Sequence, residues 1–112
     1  MKYEMSMVRG DTLAFEIRIE GDVGTVTGIA MSCKKPYAEG YVFQKSLADG
    51  VTPISGEDSA WRVRVAPEDT EDATPGCYEY DVELSVLDED TEETDVYTLL
   101  HGTLMIERDV TR

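Results

Sequence analysis

The hydrophobic pattern of this chain is clearest between Gly76 and Val86, where large apolar residues alternate with polar or small ones. A side-chain period of two places successive side chains on opposite faces of an extended strand. The segment therefore predicts a long central strand of an antiparallel sheet, with one buried and one solvated face. Pro75 and an acidic loop precede it and mark its start. Its predicted core residues are Tyr78, Tyr80, Val82, Leu84 and Val86.

The same alternation recurs along the rest of the chain, whereas helical periodicity is nearly absent. It predicts strands within residues 3–7, 13–19, 29–33, 61–65 and 96–107. Tyr41-Val42-Phe43 begins a weaker strand, and Asp49-Gly50 is a hairpin signal. Residues 67–70 predict one helical turn inside an acidic loop. Seven or eight short strands separated by turns predict an all-β sandwich that occupies residues 1–112 as a single domain.

One feature narrows the sandwich to an immunoglobulin-like one. Tyr78 opens the central strand after the acidic loop, as in a tyrosine corner, whose ring packs in the core and whose hydroxyl bonds a nearby backbone group. Tyr80 takes the place of the second Cys of antibody domains, and Trp61 lies on a different strand from the antibody Trp. We therefore predict an immunoglobulin-like β-sandwich of seven or eight antiparallel strands that differs from an antibody domain. Across the sheet, we expect Arg62 or Arg64 opposite Glu16 or the neighbours of Arg18.

The net charge of −14 is concentrated in the second half of the chain. Residues 1–64 carry nine acidic and eight basic side chains, whereas residues 65–112 carry fifteen acidic and two basic ones. A half this acidic repels phosphate, which argues against nucleic acid and anionic membranes as partners. The N-terminus lacks the apolar run of a signal peptide, and no transmembrane segment occurs. We expect a protein that is made and kept in a cytoplasm, or released by lysis.

The residues that most often carry chemistry are few and scattered. Cys33 is predicted to point inward and Cys77 outward, so we expect no disulfide between them and two free thiols in a reducing compartment. His101 is the only histidine and is predicted to face solvent. One His and two separated Cys match neither a catalytic triad nor a zinc-binding pattern. No phosphate-binding or hydrolase motif occurs, and we interpret the chain as a non-enzyme without a cofactor.

Two acidic segments and one tripeptide have alternative interpretations. Residues 88–95 contain carboxylates that suit calcium, but their spacing is not that of an EF-hand, and a hairpin tip kept soluble by charge is the simpler interpretation. The same holds for the acidic residues at 68–72. Arg9-Gly10-Asp11 spells an integrin-adhesion tripeptide where the pattern requires a turn. We favour the turn.

The last strand has apolar residues on both predicted faces. Its inner face is predicted to hold Val96, Leu100, Leu104 and Ile106, and its outer face Tyr97, Leu99 and Met105. The outer set predicts a surface that is covered by another subunit. Scattered surface apolar residues are equally normal, and both interpretations stay open at this point.

Several short motifs, taken in order, carry a resemblance. They are Arg-Gly-Asp-Thr at 9–12, Ala-Pro-Glu-Asp-Thr at 66–70, Gly-Cys-Tyr-Glu-Tyr-Asp at 76–81, Leu-Leu-His-Gly-Thr at 99–103 and Asp-Val-Thr-Arg at 109–112. This order resembles small structural proteins of tailed phages and prophages. It is similar to the immunoglobulin-like N-terminal domain of the phage baseplate upper protein family, with its Arg-Gly-Asp-Thr opening, Gly-x-Tyr-x-Tyr-Asp central strand and Leu-Leu-x-Gly-Thr final strand.

The resemblance implies a non-enzymatic virion protein of the tail or baseplate. Such a protein is assembled in the bacterial host cytoplasm, docks to other phage structural proteins and is a candidate homo-oligomer. The alternative function is a β-sandwich binding module for host-surface carbohydrate or for calcium-dependent adhesion. Its candidate residues are the aromatic side chains of Tyr37 and Tyr41 and the acidic side chains of Asp88 and Asp90.

Overall fold

The computed structural model describes residues 2–20, 24–37, 40–57 and 59–111. Met1 and Arg112, the ends of the predicted domain, lie outside the described residues. Strands dominate the described part of the chain, which confirms the all-β prediction. The elements are β1 (Met5–Val8), β2 (Leu13–Arg18), β3 (Thr25–Lys34), β4 (Phe43–Leu47), β5 (Gly50–Pro53), β6 (Ala60–Val65), α1 (Pro67–Thr70), β7 (Gly76–Asp88) and β8 (Glu93–Glu107).

The strand order identifies the architecture. Hydrogen-bonded neighbours follow one another as β1-β8-β7-β3-β4-β5-β6-β2. In an immunoglobulin-like domain, strands C, F and G form one layer and strands B, E and D form the other. Here β3, β7 and β8 take the C, F and G positions, and β2, β6 and β5 take the B, E and D positions, each in the same spatial order. The predicted immunoglobulin-like sandwich is confirmed.

The two layers share one hydrophobic core, which the period-two pattern builds. All five apolar residues of β7 from Tyr78 to Val86 are buried, and β7 lies between β8 and β3 as the predicted central strand. Val63 and Val65 on β6 belong to the same buried cluster as Leu104 and Ile106 on β8. Burying one such side chain contributes ~1.5–3 kcal/mol, so alternation along the strands is enough to hold the layers together.

Two strand pairings differ from the purely antiparallel prediction. β1 runs parallel to β8, because the turn after Val8 carries the chain to the other layer instead of forming a hairpin with β2. β4 runs parallel to β5 over two residue pairs, Ser46 with Gly50 and Leu47 with Val51. The hairpin predicted at Asp49-Gly50 is therefore wrong. Ala48 (φ 66°) and Gly50 (φ 95°) instead form a kink at which the chain changes layers.

The predicted helical turn is present as α1. Pro67 begins it, which suits a position whose N–H would lack an intrahelical partner. The side chain of Asp69 accepts a hydrogen bond from the Ala66 N–H at 2.7 Å, and it also pairs with Lys45 Nζ at 2.7 Å. Both partners of this ion pair are largely buried. The ion pair ties the loop before β7 to β4.

Candidate interaction surfaces

A β-bulge in β8 rearranges the surface that the sequence predicts. Val82 lies opposite Leu100, but the next residue of β7, Glu83, lies opposite Thr98. Leu99 is therefore the extra residue of the bulge, and side chains on its two sides alternate in opposite phase. No regular alternation can describe β8 across this point.

The bulge separates the predicted docking residues Tyr97, Leu99 and Met105. Directly opposed residues of an antiparallel pair point to the same face. Tyr97 lies opposite the buried Leu84 and so points to the same side of the sheet as the core, although it is 53% exposed. Leu99 packs against the core, and Met105 lies on the outer face, opposite Cys77. The prediction that the three share an outer face is wrong.

The same shift corrects the predicted inner face of β8. Val96 lies opposite Ser85 and is 58% exposed, so its assignment to the core is wrong. Leu104 and Ile106, on the other side of the bulge, are buried as predicted, and Leu100 is partly buried against the core.

The stretch of β8 from Glu93 to Thr98 is exposed throughout and has an open edge. β7 covers one edge along the whole strand. On the other edge, β1 pairs only with residues 104–107, and a single bridge joins Lys2 to His101. Within residues 2–20, 24–37, 40–57 and 59–111, no strand pairs with the outer edge of residues 93–98. The backbone groups on this edge are available to a partner.

The outer face of the layer formed by β8, β7, β3 and β4 is polar and acidic. A shallow depression of about 410 Å³ lies on it. Lys34 lies opposite Glu79, and Asp81 lies opposite His101, so each charged group faces a polar neighbour on the next strand. The depression is open, and most of its lining side chains are polar or charged, which suits a charged partner better than a small apolar ligand. Three carboxylates line the depression, those of Glu79, Asp81 and Glu83.

The two tyrosines considered for carbohydrate binding differ in environment. Lys34 Nζ lies 5.8 Å from the centre of the Tyr41 ring, within reach of a cation–π interaction, and Tyr41 borders the depression. Tyr37 is fully exposed and has φ 60°, a backbone conformation that few residues other than glycine adopt. The two rings are therefore not equivalent as binding groups.

The thiols and the histidine are separate from one another. Both cysteines are free, with Cys33 buried and Cys77 exposed, as predicted. Cys77 lies opposite Met105, with 3.9 Å between Sγ and Sδ, whereas His101 lies opposite Asp81. The register thus places Met105, the partner of Cys77, four residues from His101 along β8. Burial raises the pKa of the Cys33 thiol from 9.0 to about 12, which keeps it protonated and unreactive.

Carboxylates at the β7–β8 tip have local partners. Asp88 Oδ1 accepts a hydrogen bond from the Asp90 N–H at 3.0 Å, and Glu89 Oε1 accepts one from Thr25 Oγ1 at 2.8 Å. Among the described residues, no group of three or more His, Cys, Asp or Glu is placed to hold a metal ion.

The Arg9-Gly10-Asp11 tripeptide forms the predicted turn, in which the Asp11 N–H donates to the Val8 carbonyl at 3.0 Å. The Arg9 guanidinium points back into the protein. Its Nη2 lies 2.7 Å from Asp109 Oδ1, and its Nη1 donates to the Ala73 carbonyl at 3.2 Å. These contacts make Arg9 a structural residue that fastens three segments together, which the sequence pattern did not predict.

Two tyrosine hydroxyls join β7 to neighbouring backbone. The Tyr78 hydroxyl donates to the Thr74 carbonyl, four residues upstream, which is the geometry of a tyrosine corner. The Tyr80 hydroxyl donates to the Tyr3 carbonyl and thereby fixes the chain before β1. Burial, and then the neighbouring Tyr3, raises the pKa of Tyr80. Gly102 lies beneath this crossing, since a Cβ there would come within 2.9 Å of the Tyr3 carbonyl carbon.

Comparisons with known proteins give a structural likeness and no family. No family model matches the chain, and no curated protein matches it. Among solved structures, the chain is similar to the extracellular domain of the voltage-gated sodium channel beta4 subunit, which is described as forming parallel homodimers with a role in cell–cell adhesion. The two are 11% identical over 97% of this chain and 93% of that chain, with a TM-score of 0.41. So distant a likeness says nothing about function, and the fold rests on the strand order. No helix among the described residues is long and apolar enough to cross a membrane.

Proposed function

We propose that this chain is a non-enzymatic structural protein of a tailed-phage or prophage particle, a tail or baseplate component that acts by docking to other subunits. The motifs that resemble the baseplate upper protein family support this proposal, because each has a structural role in the sandwich. Arg9 holds Asp109, Tyr78 forms the corner, Tyr80 anchors the chain before β1, and Gly102 makes room for that chain. The motifs therefore belong to one structural framework within the sandwich.

The observation that carries the docking role is the exposed part of β8. Val96 and Tyr97 are more than half exposed, and they lie in residues 93–98 of β8, whose outer backbone edge has no strand partner among the described residues. An open edge with exposed apolar side chains is an association site unless it is protected. Met105, 37% exposed on the outer face, is a separate exposed apolar side chain on the same strand. A surface of this kind suits a protein that is held in place by its neighbours.

The charge distribution restricts the partners of this proposed role. Fifteen acidic and two basic residues in positions 65–112 disfavour DNA and anionic lipid. A sister protein with a basic surface is favoured, and its encounter with this chain is steered by charge. In this proposal, the protein is made in the host cytoplasm and ends in the virion.

The direct test is the composition of the particle. Particles are purified from an induced lysogen that encodes this chain, and their proteins are quantified by mass spectrometry. We expect the chain in a fixed ratio to the tail or baseplate proteins, and we expect an antibody against it to label one end of the tail. Its absence from intact particles would exclude the virion role. Light scattering of the pure protein tests self-association separately.

A second candidate function, host-carbohydrate binding or calcium-dependent adhesion, is favoured by one observation. The ring of Tyr41 borders the polar depression beside Lys34 and Gln44, an arrangement in which an aromatic face adjoins hydrogen-bonding groups. A glycan array with wild type and Tyr41→Ala tests the carbohydrate version. Thermal melting with calcium and with chelator tests the calcium version, and equal melting temperatures would dismiss it.

A further inference from the structure

We propose that the open edge of β8 between Glu93 and Thr98 accepts an extended, basic segment of a partner protein as an added β-strand. This inference rests on the proposed docking function and names the partner's chemistry. Strand addition to a sheet edge is a recurrent mode of peptide recognition, in which backbone hydrogen bonds give affinity and alternate side chains give specificity.

The geometry of β8 supplies a docking edge of suitable length. Residues 93–98 form six consecutive strand positions, all exposed. A strand rises ~3.3 Å per residue, so this edge matches an average strand. The crossing of Tyr3 over Gly102 and the bridge from Lys2 to His101 close the edge beyond that point. The site therefore has a defined end as well as an open side.

The side chains along this edge specify the partner. Thr94 and Val96 lie opposite Leu87 and Ser85 and so share the outer face with Thr98, giving a neutral, mainly β-branched row. Glu93, Asp95 and Tyr97 form the row on the other face. A complementary strand has β-branched residues at alternate positions and Lys or Arg between them, so that its cations face the carboxylates of Glu93 and Asp95.

Other open edges of the sandwich are less suitable. β1 is only four residues long and contains the buried Met7. The outer edge of β2 is flanked by an exposed ion-pair network in which Arg18 contacts Glu16 at 3.2 Å and Glu57 at 2.6 Å. Charged side chains on an edge discourage strand addition. In β8, the exposed charges have a single sign, which discourages a like-charged strand and attracts an oppositely charged one.

A second copy of the chain does not fit the edge as well. Two copies could pair their β8 edges antiparallel, with Val96 of one copy opposite Val96 of the other. In that register, the two copies of Asp95 lie diagonally across from each other on the same face. Like charges across a strand pair are destabilising, and each chain carries a net charge of −14. A basic partner removes both costs.

The test titrates a synthetic peptide, Lys-Val-Arg-Thr-Lys-Val-Arg, into the full chain labelled with ¹⁵N, at low ionic strength. We expect saturable shifts in the amide resonances of residues 93–98 and unchanged resonances for β2. The control peptide, Lys-Arg-Pro-Pro-Pro-Lys-Arg, keeps the charge and the length, and its three central prolines interrupt the row of N–H donors on both edges of the peptide. It should not produce these shifts.

Two protein variants with the same change of charge locate the site. Glu93→Lys with Asp95→Lys should weaken binding of the first peptide about tenfold, as expected for two reversed cross-strand pairs. Glu68→Lys with Glu71→Lys, both exposed on and after α1, should weaken it less than about twofold. Equal weakening by both pairs would overturn the proposal, because binding would then follow net charge alone.

Three other results would overturn it: no binding, binding of the proline peptide with equal affinity, or shifts confined to other strands. So would a dimer that is closed through β8. The occupant of the edge would then be a second copy of the chain. Sedimentation would show such a dimer, and Val96→Cys in a Cys77→Ser background would cross-link it. The particle test is independent of all these outcomes. A chain present in particles that does not bind the peptide keeps its proposed function and loses only this site.

Discussion

Asp109 Oδ1 lies 2.7 Å from the Arg9 guanidinium, joining the first turn of the chain to the segment that follows its last strand. The carboxylate is almost fully buried, and the guanidinium is about one-quarter exposed (side-chain exposures 5% and 28%). Arg9 also reaches the Ala73 carbonyl, and the neighbouring Gly10 N–H donates to Thr70 Oγ1 at 2.9 Å. The turn after β1 is thereby fastened both to the segment before β7 and to the segment that follows β8.

Removing one partner of this ion pair should destabilise the fold. Arg9→Ala leaves the buried Asp109 carboxylate without its cation, and we expect a loss of about 2–3 kcal/mol in the free energy of unfolding, reduced from the fully buried case by the partial exposure of Arg9. Urea denaturation measures the loss. Arg18→Ala, which removes exposed ion pairs with Glu16 and Glu57, is the control and should leave the denaturation midpoint nearly unchanged. Equal effects of the two changes would contradict a special role for Arg9.

The tyrosine corner makes a second prediction about stability. Tyr78→Phe keeps the ring in the core but leaves the Thr74 carbonyl without the hydroxyl donor. We expect a loss of about 1–2 kcal/mol in the free energy of unfolding. Tyr41→Phe, on an exposed ring, is the matched control and should change it by less than about 0.5 kcal/mol. A Tyr78→Phe protein as stable as wild type would show that ring packing alone accounts for this position.

The strands and core residues were largely predictable because they depend on local alternation. The period of two located the buried face of β7, the strand β2 and the inward orientation of Cys33. It also placed Glu16 on β2 opposite Arg62 on β6, as expected. These features follow from the two faces of a strand and need no knowledge of the tertiary structure.

The candidate surface was not predictable, because it depends on the bulge at Leu99. Both phases of β8 contain apolar residues, Val96 and Leu100 in one and Tyr97 and Leu99 in the other. An inserted residue is therefore compatible with the pattern at several positions, and the pattern does not reveal it. The contact between Arg9 and Asp109 joins residues 100 positions apart, and no periodicity carries such a pairing.

Gly102 should tolerate a side chain far less well than another strand glycine. A Cβ at Gly102 would meet the backbone of Tyr3, with 2.9 Å to its carbonyl carbon, whereas a Cβ at Gly28 would meet the side chain of Ser85 at ordinary distances of 3.7 Å and 3.8 Å. We expect Gly102→Ala to cost ~1–3 kcal/mol in the free energy of unfolding, as overpacking does, and to displace the chain before β1. Gly28→Ala should change it by less than about 1 kcal/mol. Denaturation and amide exchange at Lys2 and Tyr3 measure both effects, and equal costs for both glycines would refute the close approach.

Alkaline pH should destabilise the protein through Cys33. Its thiol has a pKa of about 12 in the fold and 9.0 ordinarily, so above pH 9 the unfolded chain loses the proton while the native state retains it. The native state then binds more protons, and stability falls as pH rises, with a slope that approaches about 1.4 kcal/mol per pH unit between pH 9 and 12. Tyr80, whose pKa is also raised, adds to the loss at the upper end of this range.

Comparison with Cys33→Ala isolates the thiol in this pH dependence. The variant creates a small cavity, so it is less stable at pH 7, but it lacks the proton linkage. The difference in unfolding free energy between wild type and variant should therefore shrink as pH rises above 9. A difference that stays constant up to pH 11 would mean that the Cys33 thiol ionises in the fold as readily as in the unfolded chain.

Val96 and Tyr97 lie on the open-edge segment of β8, whereas Met105 lies beyond the bulge. Substitutions at these two places should therefore affect docking differently. Val96→Ser with Tyr97→Ser changes two exposed side chains and should leave the unfolding free energy within about 1 kcal/mol of wild type. If a partner adds a strand at this edge, the double variant should lose most of its incorporation into particles, because the apolar contacts flanking the added strand are removed. Met105→Ser, on the outer face beyond the bulge, should assemble normally. The reverse pattern, with Met105→Ser excluded and the double variant incorporated, would place docking on the outer face beside Cys77, since those two side chains are in contact there.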